Sequence, residues 1–600
     1  MAGQKFQVSG FKFQVSQAAA ITRLVVIAAF VCLVAQQWHP YYGFTGLLQI
    51  DARMAQPAIP AVHNDRIFIH PEAGSYDGGY YAQIATSPGL TDPALRPAID
   101  DLGYRARRIL LSAIAWVLGG GDPVAAMQAY AGLNLVLWFG LAALLWRVFP
   151  VADWRGTAAW AGVMFGAGVL FSVRLALTDL AALLLIAGAV VLVERGRSTL
   201  GAALLGLAGL ARETAVLGAA ALVPAIGRRT AEGERQSSDD RVQTTDLGPR
   251  TSAIGSFRSV SSAPEGHPLP SPLLPPSTES GAAPSARPSP RLALRQVSGF
   301  RFLLQVALVA APLAAWLLYV HHVVGGSSAG QRNLGWPLAG WWARWAEMWG
   351  SQETLGNPRL QIESALEHVA LTVQVIYLAW RPRRECPWWR VGAAFAVLCL
   401  CLGGAVWGGF PNATSRVLLP LTLVFNVRAV RDRARWGWFF LGNLSVFAGF
   451  QAVQHPVATP HELPAGSSWT SRHLLTTDER WSVTEWNSKH HWAWCAGEGG
   501  ITLRTWPQQE RAVVELQLRG RTPRTIEVRH AGTVVWRGAI GDRPEWITLP
   551  ALPFAAGRLD LELRSETPAT AEGADNTARS ISFACFGARL ADGPRAETRE

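Results

Sequence analysis

Long apolar segments recur along most of the chain, and this repetition constrains its fold more than any other feature. The segments cover residues 18–36, 106–120, 124–146, 157–171, 173–193, 199–226, 302–322, 366–380, 391–410, 415–428 and 437–453. A helix of about 20 apolar residues spans the hydrocarbon core of a bilayer. Half of all residues are hydrophobic and 16% are charged, as expected for a chain that lies mostly in lipid. The sequence therefore predicts a polytopic α-helical membrane protein with about ten or eleven transmembrane helices.

The distribution of basic residues predicts the orientation of these helices. Basic residues precede the first apolar segment and occupy three later regions: Lys5, Lys12, 228–301, 381–384 and 428–435. Basic segments beside membrane helices stay in the cytoplasm. We therefore expect residues 1–16 in the cytoplasm, the segment 18–36 as a retained span, and the loops 38–104 and 323–365 outside. This orientation explains the net charge of +11 without any binding of nucleic acid.

Two regions differ in composition from the predicted membrane halves, 17–228 and 301–455. Residues 229–300 are rich in Ser, Pro, Arg and Gly, and they lack the apolar residues that a folded core requires. This composition predicts a disordered cytoplasmic linker. From 465 to 600, short segments alternate apolar and polar residues at period two between turn residues. That pattern predicts an extracytoplasmic β-sandwich domain.

Tryptophan residues cluster in two of the predicted external regions. In loop 323–365 they recur at every fourth residue, at Trp341, Trp345 and Trp349. This spacing predicts a short helix, and it favours one that lies at the membrane interface over one that contacts a substrate. A second group lies near the start of the β-rich region: Trp481, Trp486, Trp492, Trp494 and Trp506. These rings would fill the core or seat the domain on the membrane, or else stack against sugars.

The segment 76–85 carries the most specific motif of the chain. It reads Tyr-Asp-Gly-Gly-Tyr-Tyr-Ala-Gln-Ile-Ala and lies in the first predicted external loop. It resembles the D-E-x-x-Y-A-x-I-A motif in the first periplasmic loop of GT-C-type glycosyltransferases, the superfamily of aminoarabinose transferases and protein O-mannosyltransferases. The resemblance covers about residues 17–225 and 300–455. It implies a bacterial protein of the cytoplasmic membrane that moves a sugar from a polyprenyl-phosphate donor to an external glycan, lipid or protein acceptor.

The resemblance also implies roles for individual residues. Asp77 falls on the acidic residue of the motif and would be the general base, since a carboxylate can take the proton of an acceptor hydroxyl during attack. Gly78 stands where a second acid is common. Arginine suits the leaving phosphate because it forms bidentate hydrogen bonds with phosphate oxygens. The residues expected to bind substrate or phosphate are Tyr80, Tyr81, Arg105, Arg108, Arg212, Glu213 and Arg416.

Simpler interpretations exist for several of these residues. Asp77 precedes a glycine, so it could simply start a turn and have no chemical role. Arg105 and Arg108 could extend to lipid headgroups. A charge at mid-bilayer costs about 2.5–3.5 kcal/mol, which disfavours unpaired charges there. Arg174 and Asp179 flank a helix start, so they would either pair with each other or take part in catalysis.

A second class of function is also compatible with the sequence. The chain could be a non-catalytic transporter or polysaccharide-assembly subunit whose β domain binds carbohydrate, and the missing acid at Gly78 favours this alternative. The expected partners are membrane lipid, the lipid-linked sugar and its acceptor. No cofactor is indicated, no CxxC or HExxH pattern indicates a metal site, and a requirement for a divalent metal is left open. Whether Cys495 and Cys585 form a disulfide is left open as well.

Overall fold

The computed structural model describes residues 3–71, 74–151, 153–223, 290–327, 329–350, 358–409, 412–454, 459, 461–464, 473–487, 489–506, 509–572 and 579–591. Most of the linker predicted at 229–300 lies outside the described residues, and a helix begins within its last part, at Pro290. The described chain is helical up to Gln454 and forms strands from Glu462 onward.

The first half of the helical region contains a long initial helix, a loop with short helical turns, and a series of packed helices. Its α-helices are α1 (Gly3–Ala35), α2 (Ala52–Ala55), α3 (Asp77–Ile84), α4 (Leu95–Ala98), α5 (Leu102–Arg105), α6 (Leu110–Leu118), α7 (Pro123–Val148), α8 (Trp154–Met164), α9 (Ala167–Arg174), α10 (Asp179–Glu194) and α11 (Ser198–Ala211). Its 3₁₀ helices are Thr45–Leu48, Pro60–His63 and Glu213–Leu222.

The second half follows the undescribed segment and contains both long and short helices. They are α12 (Pro290–Val323), α13 (Ala339–Gly350), α14 (Pro358–Trp380), α15 (Pro387–Cys401), α16 (Gly404–Trp407), α17 (Ala413–Val417), α18 (Leu419–Arg431), α19 (Trp436–Gly442), α20 (Ser445–Gly449) and α21 (Gln451–Gln454). A 3₁₀ helix, Gln331–Asn333, precedes α13. The helix expected from the tryptophan spacing in loop 323–365 is α13, where the rings of Trp341 and Trp345 stack with centroids 6.2 Å apart.

Four helices in the described chain are long and apolar enough to cross a membrane: Gln17–Ala35, Pro123–Val148, Arg301–Val323 and Gln361–Trp380. The pair α8 and α9, bent by 42°, makes a fifth if it is counted as one span. This number is below the ten or eleven full helices expected. Polar and glycine residues interrupt the other apolar segments: α6 ends before Gly120 and Gly121, which both have positive φ, and the segment 199–226 breaks at Arg212, whose backbone is extended.

The apolar segment that breaks at Arg212 folds back on itself. The 3₁₀ helix Glu213–Leu222 returns along α11, so that Gly218 lies beside Leu205 and Gly209 beside Val216. The described part of this segment, 199–223, is therefore a hairpin with its tip at Arg212. This tip lies at the same end of the bundle as the start of α3 and its Asp77.

The opposite end, here called the basic end, is held together by arginine contacts. Arg431 pairs with Glu194 at 2.6 Å. Arg155 donates to the Ala434 carbonyl at 3.4 Å, and Arg23 donates to the Pro150 carbonyl at 3.0 Å. The arginine-rich segment 428–435 therefore lies close to the turns that follow α7 and α10.

The C-terminal part forms two main antiparallel sheets. Its strands are β1 (Glu462–Leu463), β2 (His473–Thr477), β3 (Glu485–Trp486), β4 (His491–Cys495), β5 (Glu498–Thr505), β6 (Arg511–Gly520), β7 (Arg524–His530), β8 (Thr533–Ile540), β9 (Glu545–Pro553), β10 (Arg558–Ser565), β11 (Thr570–Ala571), β12 (Ser580–Ile581) and β13 (Phe583–Ala591). One sheet has the order β1-β2-β5-β10-β7-β8 and the other β3-β4-β13-β6-β9. Inward residues of both sheets share one hydrophobic core, so the sheets pack face to face, as the period-two pattern predicts.

Both cysteines and two of the tryptophans of the β domain are buried in it. Cys495 and Cys585 are buried free thiols on the neighbouring strands β4 and β13, and burial raises the pKa of Cys495 to about 11. Trp481 and Trp494 are also buried. Trp486 is 73% exposed, so the five tryptophans do not form one sugar-stacking surface.

The β domain contacts the first long loop of the helical region. Arg504 pairs with Asp65 at 2.9 Å, and Glu462 forms a hydrogen bond with His39 at 2.8 Å. The ring of Trp506 lies 4.7 Å from that of Tyr41, measured between centroids. The β domain therefore sits at the end of the helical region that carries Asp77.

Candidate functional site

Asp77 is the first residue of α3, directly after a tyrosine in extended conformation. A carboxylate in the first turn of a helix is favoured, because the backbone N–H groups there form the positive end of the helix dipole. The next turn buries Tyr81, Ala82 and Ile84, which fixes the direction of the helix. Asp77 is held at the rim of this packing, with its side chain 26% exposed.

At Gly78 and Gly79, α3 packs so closely against its neighbours that no side chain fits. A Cβ at Gly78 would collide with the carbonyl oxygen of Leu175, in the turn between α9 and α10. A Cβ at Gly79 would lie 2.5 Å from the sulfur of Met54. Backbone packing therefore excludes a second acid at position 78, and Asp77 is the one acid of the segment 76–85.

Arg105 joins Asp77 to a second carboxylate. Its guanidinium pairs with Asp77 at 2.8 Å and donates to both oxygens of Asp100, at 3.0 and 2.8 Å. It also lies over the ring of Tyr80, 5.2 Å from the centroid. Burial opposes the charge of Arg105, but the hydrogen bond with Asp100 and the charge of Asp77 together raise the pKa of Arg105. Burial likewise opposes the charge of Asp100, and the hydrogen bond from Arg105 lowers its pKa.

Arg108 lies deeper and makes three side-chain contacts. It pairs with Glu213 at 2.9 Å, donates to the hydroxyl of Tyr81 at 2.8 Å and donates to that of Tyr104 at 3.2 Å. Arg108 is only 9% exposed, which excludes the interpretation that it extends to lipid headgroups. It links the motif helix to the hairpin tip.

Asp179, at the start of α10, connects the two remaining arginines. It forms an ion pair with Arg212, and its other oxygen lies 3.9 Å from Arg416. Arg416 also hydrogen-bonds the hydroxyl of Tyr76. The expected pairing of Arg174 with Asp179 is wrong, because Arg174 instead donates to the side chain of Gln49 at 3.1 Å.

These contacts bring every residue of the predicted site to one place, which we call the Asp77 cluster. Its charged members are Asp77, Asp100, Arg105, Arg108, Asp179, Arg212, Glu213 and Arg416. The cluster contains four arginines and four carboxylates. An anionic ligand would therefore compete with these carboxylates for the N–H donors of the arginines. Two donors are open in the described structure, because the buried Nε groups of Arg212 and Arg416 have no hydrogen-bond partner. A phosphate oxygen would satisfy such donors.

Sequence reasoning missed Asp100, which binds Arg105, and Asp51. It did consider Asp179, but with Arg174 as the partner and not with Arg212 and Arg416, which Asp179 joins. Asp51 caps α2 and also holds the loop, because it accepts hydrogen bonds from the backbone N–H groups of Met54, Gly74 and Ser75. Burial alone would raise the pKa of Asp51, but these three bonds lower it to about 2. An aspartate directly before a short helix is the one signal in the sequence that could have found the Asp51 cap.

Among the described residues, no group of three or more His, Cys, Asp or Glu side chains is arranged to hold a metal ion. The acids of the Asp77 cluster are each matched by an arginine instead.

No protein-family model and no curated protein sequence matches this chain. The chemistry of the site must then be argued from its own geometry. That geometry comprises one partly exposed carboxylate, a set of buried arginines and several tyrosine hydroxyls.

Proposed function

We propose that this protein is a membrane glycosyltransferase of the GT-C type, which transfers a sugar from a polyprenyl-phosphate donor to an acceptor outside the cytoplasmic membrane. The single observation that supports this function is the Asp77 cluster. It holds a carboxylate, Asp77, at a rim where Arg105 pairs with it, and it includes the buried Nε groups of Arg212 and Arg416, which have no hydrogen-bond partner. A proton acceptor and a phosphate site within one cluster are what this transfer requires.

In the proposed reaction, Asp77 accepts the proton of an acceptor hydroxyl while that oxygen bonds to the anomeric carbon. The bond between the anomeric carbon and the phosphate oxygen breaks, and its electron pair leaves with polyprenyl phosphate. Arg212 and Arg416 hold the charge that develops on this phosphate through their Nε groups. Arg105 orients the Asp77 carboxylate through the ion pair between them.

The two ends of the helical region support the proposed orientation. The basic end collects the arginines around Arg155 and Arg431, as expected for the cytoplasmic side. The first long loop and the β domain lie together at the other end. An external acceptor would thus meet Asp77 at the end of the bundle that carries both.

The test is release of polyprenyl phosphate by purified protein supplied with polyprenyl-phosphate sugars. We expect Asp77→Asn to lower the rate by ~10²–10⁴, the usual contribution of a general base. Asp100→Asn is the matched control, because Asp100 shares the guanidinium of Arg105 but is not the proposed base. It should lower the rate by less than about tenfold, well below the contribution of a base.

Equal losses in the two variants would mean that both acids act only by holding Arg105, and equal turnover by wild type and Asp77→Asn would reject Asp77 as the base. No turnover by wild type with any lipid-linked sugar would favour the non-catalytic alternative, a transporter or assembly subunit. The observation that supports this alternative is Gly78, where backbone packing excludes a second acid.

A further inference from the structure

An apolar groove lies on the surface of the helical region, between α1, α8, α19 and α20. Its room is about 480 Å³, within the range of about 300–1,000 Å³ that small-molecule sites have. Its lining includes Val26, Ala161, Phe165, Trp436, Phe440 and Phe450. Neither the motif nor the proposed reaction uses these residues.

The groove is open along its outer side. Phe440 is 62% exposed and Phe447 is 58% exposed, while Trp436, at one end, is 49% exposed. Large apolar side chains that are exposed together mark a contact site for a membrane or a partner. In a chain that crosses a membrane, hydrocarbon covers such side chains.

The most polar side chain of the lining is that of Asn443, and its amide group is already satisfied. Its Nδ2 donates to Oδ1 of Asn426 at 3.0 Å and to the Phe439 carbonyl at 2.9 Å. Its Oδ1 accepts a hydrogen bond from Asn426 at 2.9 Å. The groove therefore offers a packing surface rather than hydrogen bonds, which suits an acyl chain better than a sugar or a phosphate.

The length of the groove matches one leaflet of a bilayer. Both α8 and α19 begin at the basic end, and α8 has 11 residues, so it rises about 16 Å. The hydrocarbon core of a bilayer is about 30 Å thick, so one leaflet is about 15 Å. At the end of the groove opposite Trp436, the rings of Phe165 and Phe450 stack with centroids 6.2 Å apart. An acyl chain that enters beside Trp436 would thus reach this aromatic pair.

Three arginines lie around the Trp436 end of the groove. The guanidinium of Arg155 is 5.4 Å from the centroid of the Trp436 ring and donates to the Ala434 carbonyl at 3.4 Å. Arg433 and Arg435 are exposed in the turn directly before Trp436. A lipid headgroup at this end would therefore meet several cations.

The carboxylates of the same turns do not cancel these charges. Asp432 is paired with Arg428 at 2.6 Å, and both side chains are 7% exposed. Asp153 caps α8 and accepts a hydrogen bond from the backbone N–H of Arg155 at 3.1 Å. Against this one carboxylate stand three arginines, so the mouth of the groove favours an anionic headgroup. Basic pockets between membrane helices on the cytoplasmic side bind such headgroups.

We propose that this groove binds one acyl chain of an anionic phospholipid, whose phosphate lies among Arg155, Arg433 and Arg435. The lipid-linked donor fits less well, because its phosphate would lie at Arg416, at the other end of the bundle. The inference needs the membrane placement of the proposed function but not its chemistry, so the two proposals can fail separately.

The experiment measures equilibrium binding of two radiolabelled lipids with the same acyl chains, dioleoyl phosphatidylglycerol and dioleoyl phosphatidylcholine, to the delipidated full-length protein in detergent. Wild type should bind the anionic lipid at least about tenfold more tightly, because each arginine near a membrane surface contributes about fivefold. The double variant Arg433→Gln and Arg435→Gln should lower the affinity for phosphatidylglycerol by about tenfold and leave that for phosphatidylcholine within about twofold.

The double variant Arg195→Gln and Arg197→Gln is the matched control for charge. It also removes two exposed arginines, from the turn after α10 at the same end of the bundle, but neither residue lines the groove. It should keep the preference for phosphatidylglycerol. Loss of the preference in this control would show that net charge, and not a site, selects the lipid.

A second set of variants tests the groove itself. Ala161→Phe fills it from the side of α8 and should weaken both lipids by about tenfold, the effect of overfilling a packed site. Ala158→Phe fills the same wall about one turn earlier and replaces it if the first variant does not fold. Ala143→Phe is the control, because Ala143 is exposed on α7 and does not line the groove. Size-exclusion profiles and thermal unfolding would identify the folded variants.

The outcomes separate this site from the proposed function. Equal affinity of wild type for the two lipids, or unchanged binding in a folded groove variant, would overturn the lipid site. Prenyl phosphate that displaces phosphatidylglycerol and itself loses affinity in Ala161→Phe would also overturn it, since the groove would then hold the donor chain. Release of polyprenyl phosphate by the same preparations tests the proposed function: turnover without lipid preference rejects the groove site alone, and lipid preference without turnover rejects the transfer alone.

Discussion

The helical region and the β domain use charged residues in opposite ways. In the helical region, Arg416 and Asp179 of the Asp77 cluster are buried, 6% and 3% exposed, and Asp179 lies between Arg212 and Arg416. In the β domain, ion pairs run along the outer faces of strands. Arg558 and Asp560 pair at 2.9 Å with side chains 49% and 58% exposed.

The burial of ion pairs distinguishes functional charged residues from structural ones better than the number of charges does. Exposed pairs cost little to form and to break, because water solvates both partners. Buried pairs carry a large desolvation cost and need good geometry to persist. A buried network of ion pairs is therefore the better guide to a functional site, and in the described structure it occurs in the helical region around Asp179.

The comparison predicts its largest effect at Asp179. Asp179→Asn removes the anion between Arg212 and Arg416, so two buried guanidinium groups lose their partner. We expect a loss of about 3–5 kcal/mol in the free energy of unfolding, the usual effect of breaking a buried pair. Denaturant unfolding of the purified protein in detergent would measure it. A loss below about 1 kcal/mol, the range of an exposed pair, would show that this network does not differ from a surface one.

An intermediate effect is expected at Asp51, where the partners are backbone N–H groups. The pKa of Asp51 falls from the ordinary 3.8 to about 2 on folding, so its contribution of about 2 kcal/mol is present above pH 3.8. It is lost as the pH falls toward 2, since the acid then protonates in the folded state too. The difference in stability between wild type and Asp51→Asn should shrink over this range in unfolding curves. A constant difference between pH 5 and 2 would contradict the assignment.

The smallest effect is expected on the surface of the β domain. Arg558→Ala breaks the exposed pair with Asp560, and it should change stability by less than about 1 kcal/mol, with the change decreasing further in salt. The same unfolding assay measures it at low and high salt. A loss as large as that of Asp179→Asn would remove the distinction between the two regions.

Local patterns in the sequence predict local structure well in this protein. The tryptophan spacing predicts α13, and the period-two segments after residue 465 form strands. The helix that begins at Asp77 is not among the predictions. The residues named from the family resemblance, from Asp77 to Arg416, also come together. What the sequence cannot provide is the choice of partners across the bundle.

The ion pairs show why. Arg212 and Glu213 are adjacent in sequence, yet Arg212 pairs with Asp179 and Glu213 with Arg108, because adjacent residues at a hairpin tip point to different neighbours. The number of long helices was overestimated for a related reason. Hydropathy counts apolar residues, but a glycine pair or a charged tip ends the helix inside an apolar segment.

The contact between Gly78 and the Leu175 carbonyl also limits how this protein can change over time. A side chain is accepted at this position only if the chain around Leu175 first moves outward. A substitution at position 78 therefore requires a different path for that neighbouring turn. The identity of this one residue is thus coupled to the course of a stretch of backbone that is distant in sequence.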